Sequence, residues 1–375
     1  MIVNGIDTTV LDIPIGCIIP AMIPNRVLQL DGDMLAYECS GDDDQPFAYC
    51  KENWKTALKI RMEMAGAEYC NIHLTGADKG GRFEVALVKP YQANRDGKIK
   101  PKHLPALREW VQQYYGGYGT DKASACYHNH QEADDGMTQR QFDAIQAGAR
   151  HLSIIMSGDK DLGMCSGLHC DWNTFEIQDI NGFGEIRLDE SGSTKKVKGK
   201  GTAFFWAQLL MGDTADNIPG LPSFGRSISA ALWPTSAFTE AQRLLKERTT
   251  KSGKPCTSLQ VAKAQETLDT AKAKQCGPVA VYDYLKDCTG DFDALMLCIK
   301  AYQSHYGTSP FTLECHRGNL HELTSGHMLL EQAKLLWMRR VEAECPSVFF
   351  KQATQRIQWD GQPLGSNNGG KLANC

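Results

Sequence analysis

Nine carboxylates in this chain, Asp31, Asp78, Glu132, Asp134, Asp135, Asp159, Asp161, Asp213 and Asp216, fall in short motifs that could share cations. Hard divalent ions take carboxylate oxygens. Two such ions about 4 Å apart can activate a water and stabilise the leaving oxygen in phosphodiester hydrolysis. That chemistry needs several acids and no side-chain nucleophile, which suits a sequence without a nucleophile elbow or P-loop. Glu132-Ala-Asp134-Asp135 is the densest group. Its charges repel one another, and a helix N-terminus offsets part of the cost. Taken alone it also reads as an acidic helix cap. Asp159-Lys-Asp161 offers two aspartates to one ion, or a tight Asx turn. Asp213 and Asp216, three apart, share one face of a helical turn. The stretch after them, through Gly220, Gly225, Arg226 and Ser227, has glycines that let backbone N–H groups approach a phosphate; a plain helix–turn–helix corner is the alternative.

The elements that must position these acids are legible. Val27–Leu30, Cys70–Leu74 and His151–Met156 are apolar strand candidates, each delivering an aspartate just past its carboxyl end, the edge where open α/β sheets place their sites. The motif Glu132 to Gly136 is expected to precede a helical stretch running through about Gly148, and amphipathic character marks Leu104 to Tyr115. The second half reads as helical, with helices over Thr202–Met211, Thr257–Lys274, Asp291–Tyr306 and Leu323–Val341. The run Lys195-Lys-Val-Lys-Gly-Lys200 reads as a loop or boundary. The polar, basic stretch Lys89 to Lys102, with Tyr91, Arg95 and Lys98, is as readily a solvated loop as a binding element.

Bulk properties set limits. The 375 residues carry 42% hydrophobic and 22% charged residues, ordinary for a folded soluble chain. The net charge is −4; setting aside the nine acids leaves 40 basic against 35 acidic residues, compatible with binding a polyanion. No apolar run has bilayer length. The opening around Ile13 to Ile23 holds prolines and lacks a basic leader, so a cytoplasmic protein without membrane contact is expected. Fourteen cysteines without a CxxC pair read as scattered free thiols. Cys126-Tyr-His128-Asn-His130 could hold zinc, but its alternation suits a strand face as well.

Assembled in order, these motifs resemble the 5′-nuclease superfamily, which includes flap endonucleases, the 5′-nuclease domain of bacterial DNA polymerase I and bacteriophage 5′–3′ exonucleases. The matching pieces are Leu-Asp31-Gly-Asp, Thr-Gly-Ala-Asp78, Tyr91-Gln-Ala-Asn-Arg95, Glu132-Ala-Asp134-Asp135, Ser-Gly-Asp159-Lys-Asp161 and Gly-Asp213-Thr-Ala-Asp216-Asn-Ile-Pro-Gly220 through Gly225. The resemblance implies a PIN-like α/β core with a mainly parallel sheet and a helical arch. A helical helix–three-turn–helix DNA-binding module would follow. The implied domains are residues 1–205 for catalysis and 206–345 for DNA binding, with an insertion near 234–278 and a disordered tail at 346–375.

It implies two Mg²⁺ or Mn²⁺ ions, one group of ligands being Asp31, Asp78, Glu132, Asp134 and Asp135, the other Asp159, Asp161, Asp213 and Asp216. Gly220, Gly225, Arg226 and Ser227 would bind duplex phosphates, with a K⁺ ion. Lys89 and Lys98 would line the arch, Tyr91 would stack on a base and Arg95 would neutralise the scissile phosphate. Gln92 departs from the family, which usually carries lysine there. The implied activity is a monomeric 5′–3′ exonuclease and flap endonuclease on DNA, in phage replication or recombination, with RNA primers as further substrates. A PIN-type ribonuclease and a catalytically inactive structure-specific DNA-binding protein are the alternatives. The glycine-containing duplex motif opposes the first, and the full set of acids opposes the second.

Overall fold

A computed structural model describes residues 2–3, 6–7, 18–95, 97–117, 122–221, 236–250, 252–273 and 277–357. Three apolar runs each form a central strand: β1 (Ile23–Asp31), β2 (Ala67–Thr75) and, after β3 (Ala123–His128), β4 (Ser153–Met156). With β5 (Gly167–Cys170) and β6 (Ile177–Ile180) they make a six-stranded sheet in the order β3-β2-β1-β4-β5-β6. Every pairing is parallel except β5 with β6. Leu28, Gln29 and Leu30 are consecutive and buried, as in a strand covered on both faces.

The two faces of the sheet carry different helices. On one face lie α1 (Gly32–Cys39), α2 (Phe47–Met64) and α4 (Leu104–Gly116), with the short α3 (Arg82–Val85) between them in sequence. Trp54, Ala57 and Leu58 of α2 and Leu107 and Val111 of α4 pack there with Leu28, Leu30, Ile154 and Met156. On the other face Ile155 and Met137, the latter from α5 (Ala133–Gln146), join a second core. That core also holds α6 (Thr202–Met211), buried along almost its whole length.

Leu295 and Tyr302 of α10 (Asp291–Tyr306), Leu335 of α11 (Ser325–Leu336) and Phe349 of α12 (Pro346–Thr354) belong to the same cluster. Between α6 and α10 come α7 (Ser236–Glu247), α8 (Ser258–Ala273) and α9 (Pro278–Leu285). Outside the main sheet, antiparallel pairings join β7 (Glu185–Asp189) with β8 (Lys196–Lys200), β9 (Phe311–Glu314) with β10 (Leu320–Leu323), and the two-residue segments Ile2–Val3 and Ile6–Asp7. No described helix is long and apolar enough to cross a membrane.

Several expectations need correction. A domain boundary at 205/206 falls inside α6, whose side chains knit the sheet to the later helices in one core. The tail expected from 346 begins with α12, whose Phe349 is fully buried against Trp337 and Trp206; residues 358–375 lie outside the described residues. Among the described residues, the segment expected as part of an arch carries one 3₁₀ turn, Ala93–Arg95, before α4. The stretch expected as an insertion near 234–278 is no exception to the sequence reading, since α8 lies within the helix expected over Thr257–Lys274, with α7 before it. Helix α11 is shorter than Leu323–Val341, because Thr324 caps its start and Leu320–Leu323 pairs as a strand.

Candidate active site

Asp31 ends β1 and caps α1, its Oδ1 accepting the Met34 N–H at 2.9 Å. Its Oδ2 accepts the Ser157 hydroxyl at 2.8 Å, and that hydroxyl accepts the Asp159 N–H at 3.0 Å. One serine thereby ties the ends of β1 and β4 together. Asp159 in turn caps the 3₁₀ helix Lys160–Met164, its Oδ1 accepting the Asp161 N–H at 2.8 Å. Glu132 caps α5, and Ala133 donates its N–H to Thr75 Oγ1 at the end of β2. The Thr75 N–H binds Asp33 Oδ2 at 2.9 Å, and Arg108 Nε of α4 binds Asp33 Oδ1 at 2.9 Å. Helix starts and strand ends therefore meet through backbone N–H groups, which is what fixes the acids in place.

Within this frame Asp134 stands alone: among the described residues no hydrogen bond or ion pair reaches its carboxylate. Burial, and then the charges of Asp159, Asp31, Glu132 and Asp135, hold it well above the usual carboxylate range. Asp31 is pushed up to about 6 by burial and by Asp33 and Asp159, and burial raises Asp159 as well. Three repelling acids with an unpartnered one among them form a donor set suited to a hard cation. Repulsion without a counter-ion also spreads such groups, and among the described residues no three metal-ligating side chains already converge. The chemistry at Asp31, Asp134 and Asp159 fits a divalent ion.

The other acids already have cations of the protein's own. Asp135 is fully buried and accepts both Arg82 Nη1 (2.9 Å) and Nη2 (3.0 Å), plus the Arg339 N–H at 3.0 Å. Despite burial, Arg82 and Arg339 keep it below the usual range. Glu132 receives Arg82 Nη1 at 3.0 Å and lies 3.5 Å from Lys79 Nζ; burial nevertheless raises it. Lys160 Nζ bridges Asp161 Oδ1 (2.9 Å) and Asp213 Oδ2 (2.8 Å). Burial and the neighbouring Asp159 still drive Asp161 up to about 8, with Gln208 Nε2 donating to it at 2.6 Å. Burial opposes ionisation of Asp213, but Lys160 more than compensates and lowers it.

Asp78 is not part of this group. Half-exposed at the end of β2, it lies 3.0 Å from His130 Nδ1 and accepts the Gly80 N–H at 3.0 Å, contacts that lower it.

The segment after α3 folds onto Asp216. Tyr91 is buried, packs edge-on against Phe83, and donates its hydroxyl between Glu132 Oε2 (3.2 Å) and Asp216 Oδ2 (3.1 Å). No face of its ring is free for a base, which corrects the stacking role expected of it. Gln92 Nε2 donates to Asp216 Oδ1 at 3.0 Å, and Arg95 pairs with the same oxygen. Asn94 binds the Thr214 carbonyl at 2.6 Å, and Asn217 binds that of Pro90 at 2.8 Å. Lys89 and Lys98 are exposed beside this latch. Gly220 is buried and gives its N–H to Gln332 Oε1 at 2.9 Å, so that N–H is spent within the fold rather than offered to a phosphate. Gly225, Arg226 and Ser227 lie outside the described residues.

Arg82, Lys160 and Ser157, which complete the site, left little trace in sequence. Lys160 lies between two of the aspartates, and its presence inside the pair was the available signal. Cys126 and His128 share a strand, but His128 Nε2 faces His73 Nδ1 at 2.9 Å, and no zinc-like group forms among the described residues. That histidine pair also sets where α5 lies. A Cβ on Gly136 would come within 2.2 Å of His128 Nε2 and 2.9 Å of His73 Nδ1. Gly136→Ala is expected to push the start of α5 away and to lose about 1–3 kcal/mol; an unchanged urea midpoint would contradict the close approach.

No family model matches the sequence, and no curated protein matches it significantly. Among solved structures, the chain resembles the bacteriophage T5 flap endonuclease in a pseudo-enzyme–product complex with DNA and metal ions. Identity there is 13%, with a TM-score of 0.38, covering 74% of this chain and 93% of that one. It also resembles a T5 protein co-crystallised with metal ions, at 13% and 0.37, covering 83% and 98%. A third likeness is to the T5 5′-exonuclease with bound zinc, at 12% and 0.39, covering 83% and 99%. Overlaps of this extent fix no residue correspondence, so the chemistry has to be read from the acids themselves.

Proposed function

We propose that the chain is a divalent-metal-dependent nuclease that hydrolyses DNA phosphodiester bonds, acting as a 5′–3′ exonuclease and flap endonuclease. The observation that carries this reading is the repelling trio Asp31, Asp134 and Asp159, none of which forms an ion pair among the described residues, beside acids that do. A site meant only for structure gains nothing from an unpaired carboxylate among like charges. Asp31, Asp134 and Asp159 would hold the ion, which when bound supplies Lewis acidity and charge compensation at phosphorus.

The chain's own residues do the rest. Ser157 holds Asp31 and Asp159 in register. Arg82, with Lys79 beside Glu132 and Arg339 beside Asp135, compensates those two acids, so that the trio carries the excess negative charge. Arg95, half-exposed and on the rim, is placed to leave Asp216 for a substrate phosphate. Asp161 and Asp213 would take a second ion only by displacing Lys160. Mg²⁺ or Mn²⁺ is the expected ion and DNA the partner, with a role in phage replication or recombination, and K⁺ an accessory ion near Gly220 to Ser227.

The test incubates the protein with a 5′-flap duplex, a blunt duplex and a single-stranded RNA, in Mg²⁺, in Mn²⁺ and in EDTA. Metal-dependent cleavage of the flap is expected. No cleavage of any DNA in either metal would sink the reading, and cleavage of RNA alone would point to a PIN-type ribonuclease.

A further inference from the structure

The lysine run expected as a loop is strand β8, and strand geometry changes its meaning. Successive side chains of a strand point to opposite faces. Lys196, Lys198 and Lys200 are exposed, while Val197 between them is 7% exposed in the core. The register places Arg187 of β7, also exposed, directly across from Lys198. Glu185 and Asp189 lie across from Lys200 and Lys196, leaving the face with four basic and two acidic groups in a chain of net charge −4. Lys198 pairs with Asp189 at 2.6 Å, but this is a surface pair of the kind worth little.

The ribbon is firmly set against the candidate active site. Ile186 and Leu188 pack on the core, Ala203 donates to the Phe183 carbonyl at 2.8 Å, and the Gly201 N–H binds the Gly163 carbonyl at 2.9 Å. Gly163 belongs to the 3₁₀ helix that carries Asp161 and is capped by Asp159. Lysines two apart on a strand recur every 6–7 Å or so, a spacing that can follow successive phosphates of an extended strand.

We propose that the β7–β8 ribbon is a nucleic-acid contact, binding the phosphate backbone of the strand that runs to or from the acidic site; this rests on the nuclease reading above. Its face is fixed by the core behind it, and its base is hydrogen-bonded to the turn that bears the acids. That placement separates it from an ordinary solvated charge run.

The test compares wild type with a Lys196→Gln/Lys198→Gln/Lys200→Gln variant, and with a control neutralising Lys51, Lys55 and Lys59 on α2. Binding to a labelled single-stranded oligonucleotide and to a duplex is measured in EDTA across a salt series. Each lost phosphate contact lowers the slope of log K against log salt by about 0.7 for single strands and 0.9 for duplex. The ribbon variant is expected to lose roughly 2 on one or both probes, the affected probe identifying the strand bound, while the control loses less than 1. Equal slopes for wild type and ribbon variant on both probes, or equal losses in the control, would overturn the proposal. Melting curves of both variants are expected to match wild type; a collapse of the ribbon variant alone would mean the lysines serve the fold and would overturn it too. Hydrolysis by wild type in Mg²⁺ is read on the same DNAs, so a missing nuclease activity is seen separately from a missing ribbon contact.

Discussion

Asp134→Asn is expected to lower DNA hydrolysis by at least about 100-fold, the lower range for losing one preorganised electrostatic contact, while DNA binding survives. The same change is expected to stabilise the metal-free protein. Asp134 sits among Asp159, Asp31 and Glu132 without a partner, and their mutual repulsion disappears with its charge. The two effects together are diagnostic, since a residue serving only the fold would not lose activity while gaining stability.

The pH dependence follows from the same repulsion. Asp31 at about 6 and Asp161 at about 8 bind their protons more tightly folded than unfolded, where an aspartate titrates near 4. The folded state therefore holds more protons than the unfolded one between those values, and stability falls as pH rises. Two pH units for Asp31 alone correspond to about 3 kcal/mol. Burial holds His73, His128 and His169 below their usual range, which raises stability with pH up to about 6.5 and opposes the acids there. Metal-free protein is therefore expected to melt progressively lower from about pH 7 to pH 8, with Mg²⁺ or Mn²⁺ restoring much of the loss. Asp134→Asn is expected to flatten the profile. A melting temperature that climbs over this window without metal would remove the basis for reading these acids as a cation site.

Arg82→Met is expected to cost about 3–5 kcal/mol, the penalty of stranding a buried charge. Arg82 is 1% exposed and is the principal partner of Asp135, which has no exposure at all. Adding Glu132→Gln and Asp135→Asn to Arg82→Met is expected to recover a large part of the loss, because the stranded charges are gone. Urea midpoints of the single and triple variants decide it. If the single variant matched wild type, Asp135 would be free to serve as a metal ligand after all.

How far the sequence could be read depends on which kind of information a residue leaves behind. The three central strands and the aspartates at their ends were legible because apolar runs stop abruptly at polar turns. Helix α6 was legible because a mostly apolar stretch of ten residues, Thr202–Met211, stops at Gly212. The lysine strand was missed because its charge hid a period of two, Lys-Val-Lys-Gly-Lys, that only Val197 marks. The division of labour among the acids was not legible at all. Asp134 and Asp135 are adjacent and chemically identical, yet one has no hydrogen-bond or ion-pair partner among the described residues and the other is clamped by an arginine 53 residues earlier in the chain. Such pairing is decided by tertiary contact. Tyr91 was misjudged for a related reason: a tyrosine in a polar stretch gives no sign that its ring will be buried and its hydroxyl bound by two acids.

The clamp on Asp135 bears on timing as well as on energy. Arg82 also donates to the carbonyls of Leu335 (3.3 Å) and Trp337 (3.0 Å), and the N–H of Arg339 binds Asp135 itself. A chain is made from its amino end, so every acid of the site leaves the ribosome more than a hundred residues before these anchors exist. Until they arrive, Arg82 lacks two acceptors and the acidic turn at the start of α5 lacks its outer support. The clamp on Asp135 is thus completed late in the chain, and a nascent chain stalled short of residue 335 would carry the acids without it.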